Sequence, residues 1–224
     1  MSGHEHSHGA PEAAVVDAGS SSVRLIATLA MFGALAGGIL AFTYQKTLPP
    51  IRKFAGERVE VAVREVLGSP AKLDTLFLVG DKLSKTPPPG ADPLEAVKVF
   101  IGFDASGAPI GVAVEEKAPG FSSDVVLMVG FNPQTSALTG FKVLAQTETP
   151  GLGDKIIKDS SFARQFPGKL VTPLKGDKSA TSDPSTVQTI TGATITSKAV
   201  IKVINKAVET WKPRLDAYAK EGGK

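Results

Sequence analysis

Between residues 189 and 197 the sequence reads TITGATITS. Five hydroxyl side chains, those of Thr189, Thr191, Thr194, Thr196 and Ser197, surround a single Gly192–Ala193 step. The stretch leads directly into apolar residues at helical spacing. A threonine ahead of a helix accepts a hydrogen bond from an unpaired first-turn N–H, worth roughly 1 kcal/mol. Capping accounts for one or two of these hydroxyls, not for all of them, and not for two of the smallest residues among them. The other chemistry on offer is phosphate binding. A helix N-terminus presents free N–H groups and a partial positive charge of roughly half a unit. Gly192 and Ala193 leave the backbone open to a bulky group. Thr194 carries its hydroxyl at the first turn, where it could bind a phosphate or be esterified by one.

Composition removes most other site chemistries. The 224 residues contain no cysteine, which excludes disulfides, iron–sulfur clusters and thiol catalysis. The three histidines, His4, His6 and His8, all lie at the N-terminus, so a folded histidine metal site or a Ser-His-Asp triad has no histidine to use. Their alternation could hold a metal only loosely, because nothing folded fixes the geometry. The formal charge is +3, and Lys and Arg are spread along the chain without a basic block interleaved with aromatics, so nucleic acid is not an expected partner. Hydroxyls, carboxylates, lysines, backbone or a bound cofactor must carry the chemistry.

A second stretch, TETPGLGDKI from Thr147 to Ile156, stands about 40 residues upstream of the hydroxyl cluster. Gly151 and Gly153 permit unusual backbone angles and let the chain approach a flat ring closely, and Pro150 stiffens the entry to the turn. Alone, such a turn is an ordinary one, and Lys155 beside it reads equally as a solvated surface lysine.

These sites must be held by some frame. Residues 1–22, rich in Gly, Ser, Ala and acidic residues, read as a disordered tail. Leu25 to Tyr44 is a run of 20 residues without a charge. A helix of that length spans roughly 30 Å, the hydrocarbon thickness of a bilayer. It exceeds the roughly 7–15 apolar residues of a signal peptide, and QKTLPPIRK after it offers no clear cleavage site. Residues 23–45 are therefore an expected uncleaved transmembrane anchor. Gly33 and Gly37 in it form a small-xxx-small pair that could seat a partner helix. Arg24 precedes the span, whereas Lys46, Arg52 and Lys53 follow it, a distribution that by the positive-inside rule leaves the rest of the chain in the cytoplasm.

Beyond the anchor, residues 46–95 read as a linker and a helical or irregular lead-in segment. IRKFAGERVEVAVREVLG is helical with a stop at Gly68, and the Pro-rich KTPPPGADP follows. Residues 96–214 form the main domain. AVKVFIGF, PIGVAVEE, DVVLMVGF and LTGFKVLAQ are short β-branched runs separated by turn residues, an antiparallel meander. From Thr194 the apolar residues Ile195, Val200, Val203, Ile204, Ala207, Val208 and Trp211 fall on one helical face, with Pro213 as the expected stop and residues 215–224 as a tail. The expected fold class is α+β, one apolar N-terminal helix followed by an antiparallel sheet packed by helices.

TGATITS resembles the flavinylation motif of the FMN-binding domain family, [S/T]-G-A-T-x-x-[S/T], and ETPGLG resembles a second signature of the same family. With the N-terminal anchor, the chain from Leu25 to about Trp211 is similar to the G subunit of Rnf complexes, the ion-translocating ferredoxin:NAD oxidoreductases. The C subunit of the sodium-translocating NADH:quinone reductase is the near neighbour. The resemblance implies FMN joined through its phosphate to Thr194 by a flavin transferase that uses FAD as donor. It implies Thr191, Gly192, Ala193 and Ser197 as the rest of the attachment motif. It places Glu148, Thr149, Pro150, Leu152, Gly153 and Lys155 around the flavin. The implied partners are the lipid bilayer and the membrane and redox subunits of a larger complex, with the flavin domain on the extracytoplasmic side of the inner membrane, opposite to the charge count. Three positions depart from the family pattern. Gln188 stands where an acidic residue is usual, Gln146 where histidine is frequent, and GFSS, Gly120 to Ser123, where a Gly-aromatic-Gly-Gly loop is common. A free-standing FMN-domain reductase or sensor, and a structural subunit whose hydroxyls only cap a helix, are the readings from other classes.

Overall fold

The computed structural model describes residues 18–179 and 182–222. Most of the expected N-terminal tail, including His4, His6 and His8, lies outside the described residues. Helix α1 runs Ala18–Val66, so its start falls inside the segment expected as tail. The helix runs on from the expected anchor into the segment expected as linker and lead-in, with Pro49 and Pro50 inside it. A proline within a helix forfeits an N–H bond and crowds the carbonyl four residues back. In the turn before the pair the Thr47 hydroxyl donates to the Thr43 carbonyl at 2.9 Å. The two compact units of the chain divide between Ile51 and Arg52, just past this pair. The N-terminal unit is helical from Ala18, and α1 is long and apolar enough to cross a membrane.

The second unit is built on a six-stranded antiparallel sheet of spatial order β2-β1-β3-β4-β5-β6. The four expected strands are present as β3 (Lys98–Phe103), β4 (Pro109–Pro119), β5 (Asp124–Phe131) and β6 (Leu138–Ala145). Two more, β1 (Lys72–Val79) and β2 (Lys82–Ser84), come from the segment expected as linker and lead-in. Their period-2 pattern is hidden, because β1 opens on the charged pair Lys72 and Asp74 and β2 has three residues. In the central strands the alternation sorts the two faces. Val112, Val114, Leu127, Val129 and Phe131 pack beneath helix α4 (Thr194–Lys220), while Ala113 and Met128 pack with Ala62, Val63 and Val66 of α1 on the other side. A sheet covered on both faces reads as nearly continuous apolar runs, which is how DVVLMVGF reads.

Helix α4 does not stop at Pro213 as expected but continues for two turns. Trp211 and Leu215 are buried and Tyr218 packs against the same core. That burial outweighs the lost hydrogen bond and absorbs the start of the expected tail. Two short helices, α2 (Lys155–Lys158) and α3 (Ser160–Ala163), and a parallel strand pair, β7 (Lys175–Asp177) with β8 (Thr186–Gln188), fill the region that has no clear periodicity. Asn205 of α4 ties this region down. Its side chain accepts from the Leu174 N–H and donates to the Leu174 carbonyl, both at 2.9 Å.

The junction of α1 with the sheet is tight at Gly130. A Cβ there would run into the Thr139 hydroxyl and stand 2.9 Å from the Val66 carbonyl oxygen and 3.1 Å from its Cβ. The threonine can rotate but the helix backbone cannot. Gly130→Ala is expected to destabilise the second unit by about 1–3 kcal/mol, the usual cost of overpacking. A lowered midpoint in thermal unfolding of the detergent-solubilised chain checks it.

Candidate functional site

Three segments meet at the N-terminus of α4. The first is the hairpin loop 120–123 between β4 and β5, closed by Gly120 N–H donating to the Ser123 carbonyl at 2.8 Å. The second is the turn after β6, residues 148–153, in which Gly151 has φ +79° and the Leu152 N–H donates to the Thr149 carbonyl at 3.1 Å. The third is the Gly192–Ala193 step, with Gly192 at φ +82°. Positive φ is costly for residues with a Cβ, so glycine at these two turns is a backbone requirement.

Between them lies a cavity of about 400 Å³ whose wall includes Glu148, Thr149, Leu152, Gly153, Gly192, Ala193 and Thr194. Seven of the residues expected at the site are thus brought together. Phe121 and Lys178, which the sequence had not singled out, complete the wall with Thr196 of the hydroxyl cluster and with Ile195, which was expected on the buried face of α4 and is instead exposed at the cavity. Phe121, Leu152 and Ile195 remain 68%, 47% and 56% exposed, an apolar rim around a polar floor. Thr191 and Lys155 instead line a neighbouring cavity of about 490 Å³, together with Lys158, Gln165 and Gln188. Pro150 is exposed in the turn and lines neither cavity, while Ser197 is fully buried.

The five hydroxyls do different things, and none of them caps the helix. The N-cap position is Ala193, without a side-chain cap. The Ser197 hydroxyl bridges the loop and the helix, accepting from Ile190 N–H at 3.1 Å and donating to the Ala193 carbonyl at 2.9 Å. The Thr196 hydroxyl donates to Glu148 Oε2 at 2.7 Å. The Thr189 hydroxyl is buried and has no hydrogen-bond partner among the described residues. Thr191 is exposed, and Thr194 is half-buried in the cavity wall. With no side chain capping the helix, the N–H groups of Thr194, Ile195 and Thr196 are those its first turn leaves without an intrahelical acceptor. The dipole of a 27-residue helix favours negative charge there.

Glu148 is the one carboxylate in this wall, and it is 5% exposed. Oε1 accepts from the N–H groups of Phe121 and Ser122 at 3.0 Å and of Ser123 at 3.4 Å, and Oε2 is taken by Thr196. Burial pushes the carboxyl up, but the hydrogen bonds from Thr196, Ser122, Ser123 and Phe121 together outweigh it and hold the group below the usual carboxylate range. A depressed folded-state value means that this charge stabilises the fold above the ordinary carboxylate pKa, and that the contribution is lost as pH falls through the depressed value. The departures from the family pattern also have places here. GFSS supplies the three converging N–H groups, the Gln146 side chain accepts from the Glu148 N–H, and the Gln188 side chain donates to the Lys178 carbonyl at 3.4 Å. Asp154, next to the turn, is held low chiefly by Lys158, against the opposing effect of burial.

An open helix N-terminus for a phosphate, a lysine at the same cavity and an apolar rim for a flat ring fit a flavin mononucleotide. Among the described residues there is no group of three or more His, Cys, Asp or Glu able to hold a metal ion.

Comparison with known proteins agrees with this arrangement. Residues 120–209 match the FMN-binding domain family. The G subunit of the ion-translocating oxidoreductase complex of Methanosarcina acetivorans is 31% identical over 186 residues, covering 83% of this chain and 92% of that protein. Its counterpart from Vibrio cholerae is 32% identical over 189 residues, covering 81% and 86% respectively. The fold is similar to that of Shewanella oneidensis NqrC, with a TM-score of 0.56 at 20% identity over 73% of this chain and 99% of that one. The chain belongs to the family of G subunits of ion-translocating oxidoreductase complexes and contains an FMN-binding domain.

Proposed function

We propose that this chain is a membrane-anchored electron-transfer subunit of an Rnf-type ion-translocating ferredoxin:NAD oxidoreductase, and that it carries FMN joined by a phosphoester to Thr194. The observation that carries the proposal is the Thr194 hydroxyl. It sits half-buried in the cavity wall, at the uncapped first turn of α4, opposite the Glu148–Gly153 turn. When bound there, the flavin would accept and pass on electrons, singly or in pairs.

The chain's own residues bind and orient. The first-turn N–H groups of α4 and Lys178 offset phosphate charge. Phe121, Leu152 and Ile195 offer apolar surface to a ring and exclude water from one side of it. Glu148 has both oxygens committed to the protein, so this cavity has no carboxylate free for general acid–base work. Electron partners are the other membrane and redox subunits of the complex, and ion pumping belongs to the assembly. A flavin transferase, with FAD as donor, makes the bond in maturation. The anchor crosses the inner membrane once, with the flavin domain on the extracytoplasmic side where that transferase acts.

The equivalent subunit of a sodium-translocating quinone reductase is the second reading. The Rnf-type assembly is favoured because relatives at 31% and 32% identity over most of the chain are G subunits of ion-translocating oxidoreductase complexes, whereas the likeness to NqrC is one of fold. Intact mass of the protein taken from its native membrane tests the proposal. The expected result is the chain plus one FMN, less the water lost on esterification. An unmodified chain, made where the transferase is active, would overturn it and leave a structural subunit. Isolation without large hydrophobic partner subunits would point to a free-standing flavoprotein.

A further inference from the structure

Glu148 joins parts of the chain that are far apart in sequence. Its Oε1 receives the backbone N–H groups of Phe121, Ser122 and Ser123, residues 27, 26 and 25 positions upstream, and its Oε2 receives the hydroxyl of Thr196, 48 positions downstream. Three N–H groups converging on one oxygen are matched by an anion far better than by a neutral amide. Two glycines make room for the carboxylate. A Cβ on Gly120 would stand 2.5 Å from Oε1, and one on Gly153 would stand 2.6 Å from both the Cβ and Oε2 of Glu148. The loop so held carries Phe121, which is 68% exposed at the cavity that Thr194 lines.

We propose that Glu148 is a positioning residue: together with Thr196 it pins loop 120–123, and Phe121 with it, at the mouth of the Thr194 cavity, so that loading of the flavin depends on a carboxylate both of whose oxygens are spent on the protein. The proposal rests on the reading of Thr194 as the attachment point, and it adds a role for Thr196, a residue outside the fixed positions of the attachment motif. A neutral Glu148→Gln side chain keeps the shape but offers the loop an amide oxygen in place of an anion. Thr196→Val removes the second tie and leaves Oε2 buried without a donor, whereas Thr196→Ser restores the hydroxyl.

Two measurements on the full-length chain in detergent test it. The first is hydrogen exchange of individual amides in FMN-free protein, made without the transferase. In Glu148→Gln the amides of Phe121, Ser122 and Ser123 are expected to exchange about tenfold faster or more, the effect of weakening charge-assisted bonds. The amides of β5 should keep wild-type rates. The second is the initial rate of FMN loading by purified transferase with FAD, followed by intact mass. Glu148→Gln and Thr196→Val are expected to load roughly fivefold slower or worse, and Thr196→Ser at close to the wild-type rate. Unchanged exchange at residues 121–123, exchange raised equally throughout the sheet, or wild-type loading by both variants would overturn the proposal. If the wild type itself never loads, the attachment reading fails, and the exchange experiment still decides whether Glu148 pins the loop.

Discussion

Thr194→Val is expected to abolish covalent FMN while leaving the fold intact. The Thr194 side chain is half-buried at the first position of α4, and among the described residues its hydroxyl holds no partner. Valine matches its shape and removes only the oxygen that would form the ester. The neighbouring hydroxyls give the contrast. Thr191 is exposed and lines the adjacent cavity, so Thr191→Val should leave attachment in place. Ser197 is fully buried and bridges Ile190 N–H to the Ala193 carbonyl. Ser197→Ala leaves that N–H without an acceptor and is expected to cost about 1–3 kcal/mol of stability, with attachment retained on the molecules that fold. Intact mass and flavin fluorescence in a denaturing gel, read beside thermal unfolding, separate the three. Retention of the adduct in Thr194→Val, or its transfer to Thr191, would sink the assignment.

The elements that frame this site differ in how openly the sequence announces them. Strands β3 to β6 are bounded by turn residues and carry apolar runs, and α4 presents one continuous apolar face, so local patterning suffices. Pro213 misleads for one reason. A proline is a local helix breaker, and what overrides it at Pro213, the burial of Trp211 and Leu215, is tertiary. The attachment loop and the PGLG turn are legible because their glycines and threonines are contiguous. The Glu148 tie is not, since it joins residues 25 to 48 positions away, and nothing in GFSS or in Thr196 alone points to a carboxylate. Capping, the plainest expectation for the hydroxyl cluster, fails because Ala193 rather than a threonine occupies the N-cap.

Gly153→Ala is expected to damage the site more than Gly151→Ala, although Gly151 has the stricter backbone. Gly151, at φ +79°, has nothing within 4 Å of an added Cβ. Alanine there suffers the left-handed penalty of roughly 1–2 kcal/mol and leaves the cavity wall where it is. At Gly153 an added Cβ would lie 2.6 Å from the Glu148 Cβ and 3.0 Å from the Thr196 hydroxyl. The Glu148 Cβ is fixed to its own backbone and cannot swing aside, so the carboxylate must move and its bonds to loop 120–123 and to Thr196 must lengthen. Overpacking of this kind costs about 1–3 kcal/mol, and here the strain falls on the residue that joins the three walls. Loading by transferase and FAD should drop about tenfold in Gly153→Ala and change little in Gly151→Ala, even where thermal midpoints fall by similar amounts. The reverse order would mean that the backbone of the turn itself, rather than the packing of Glu148 against it, sets the shape of the flavin site.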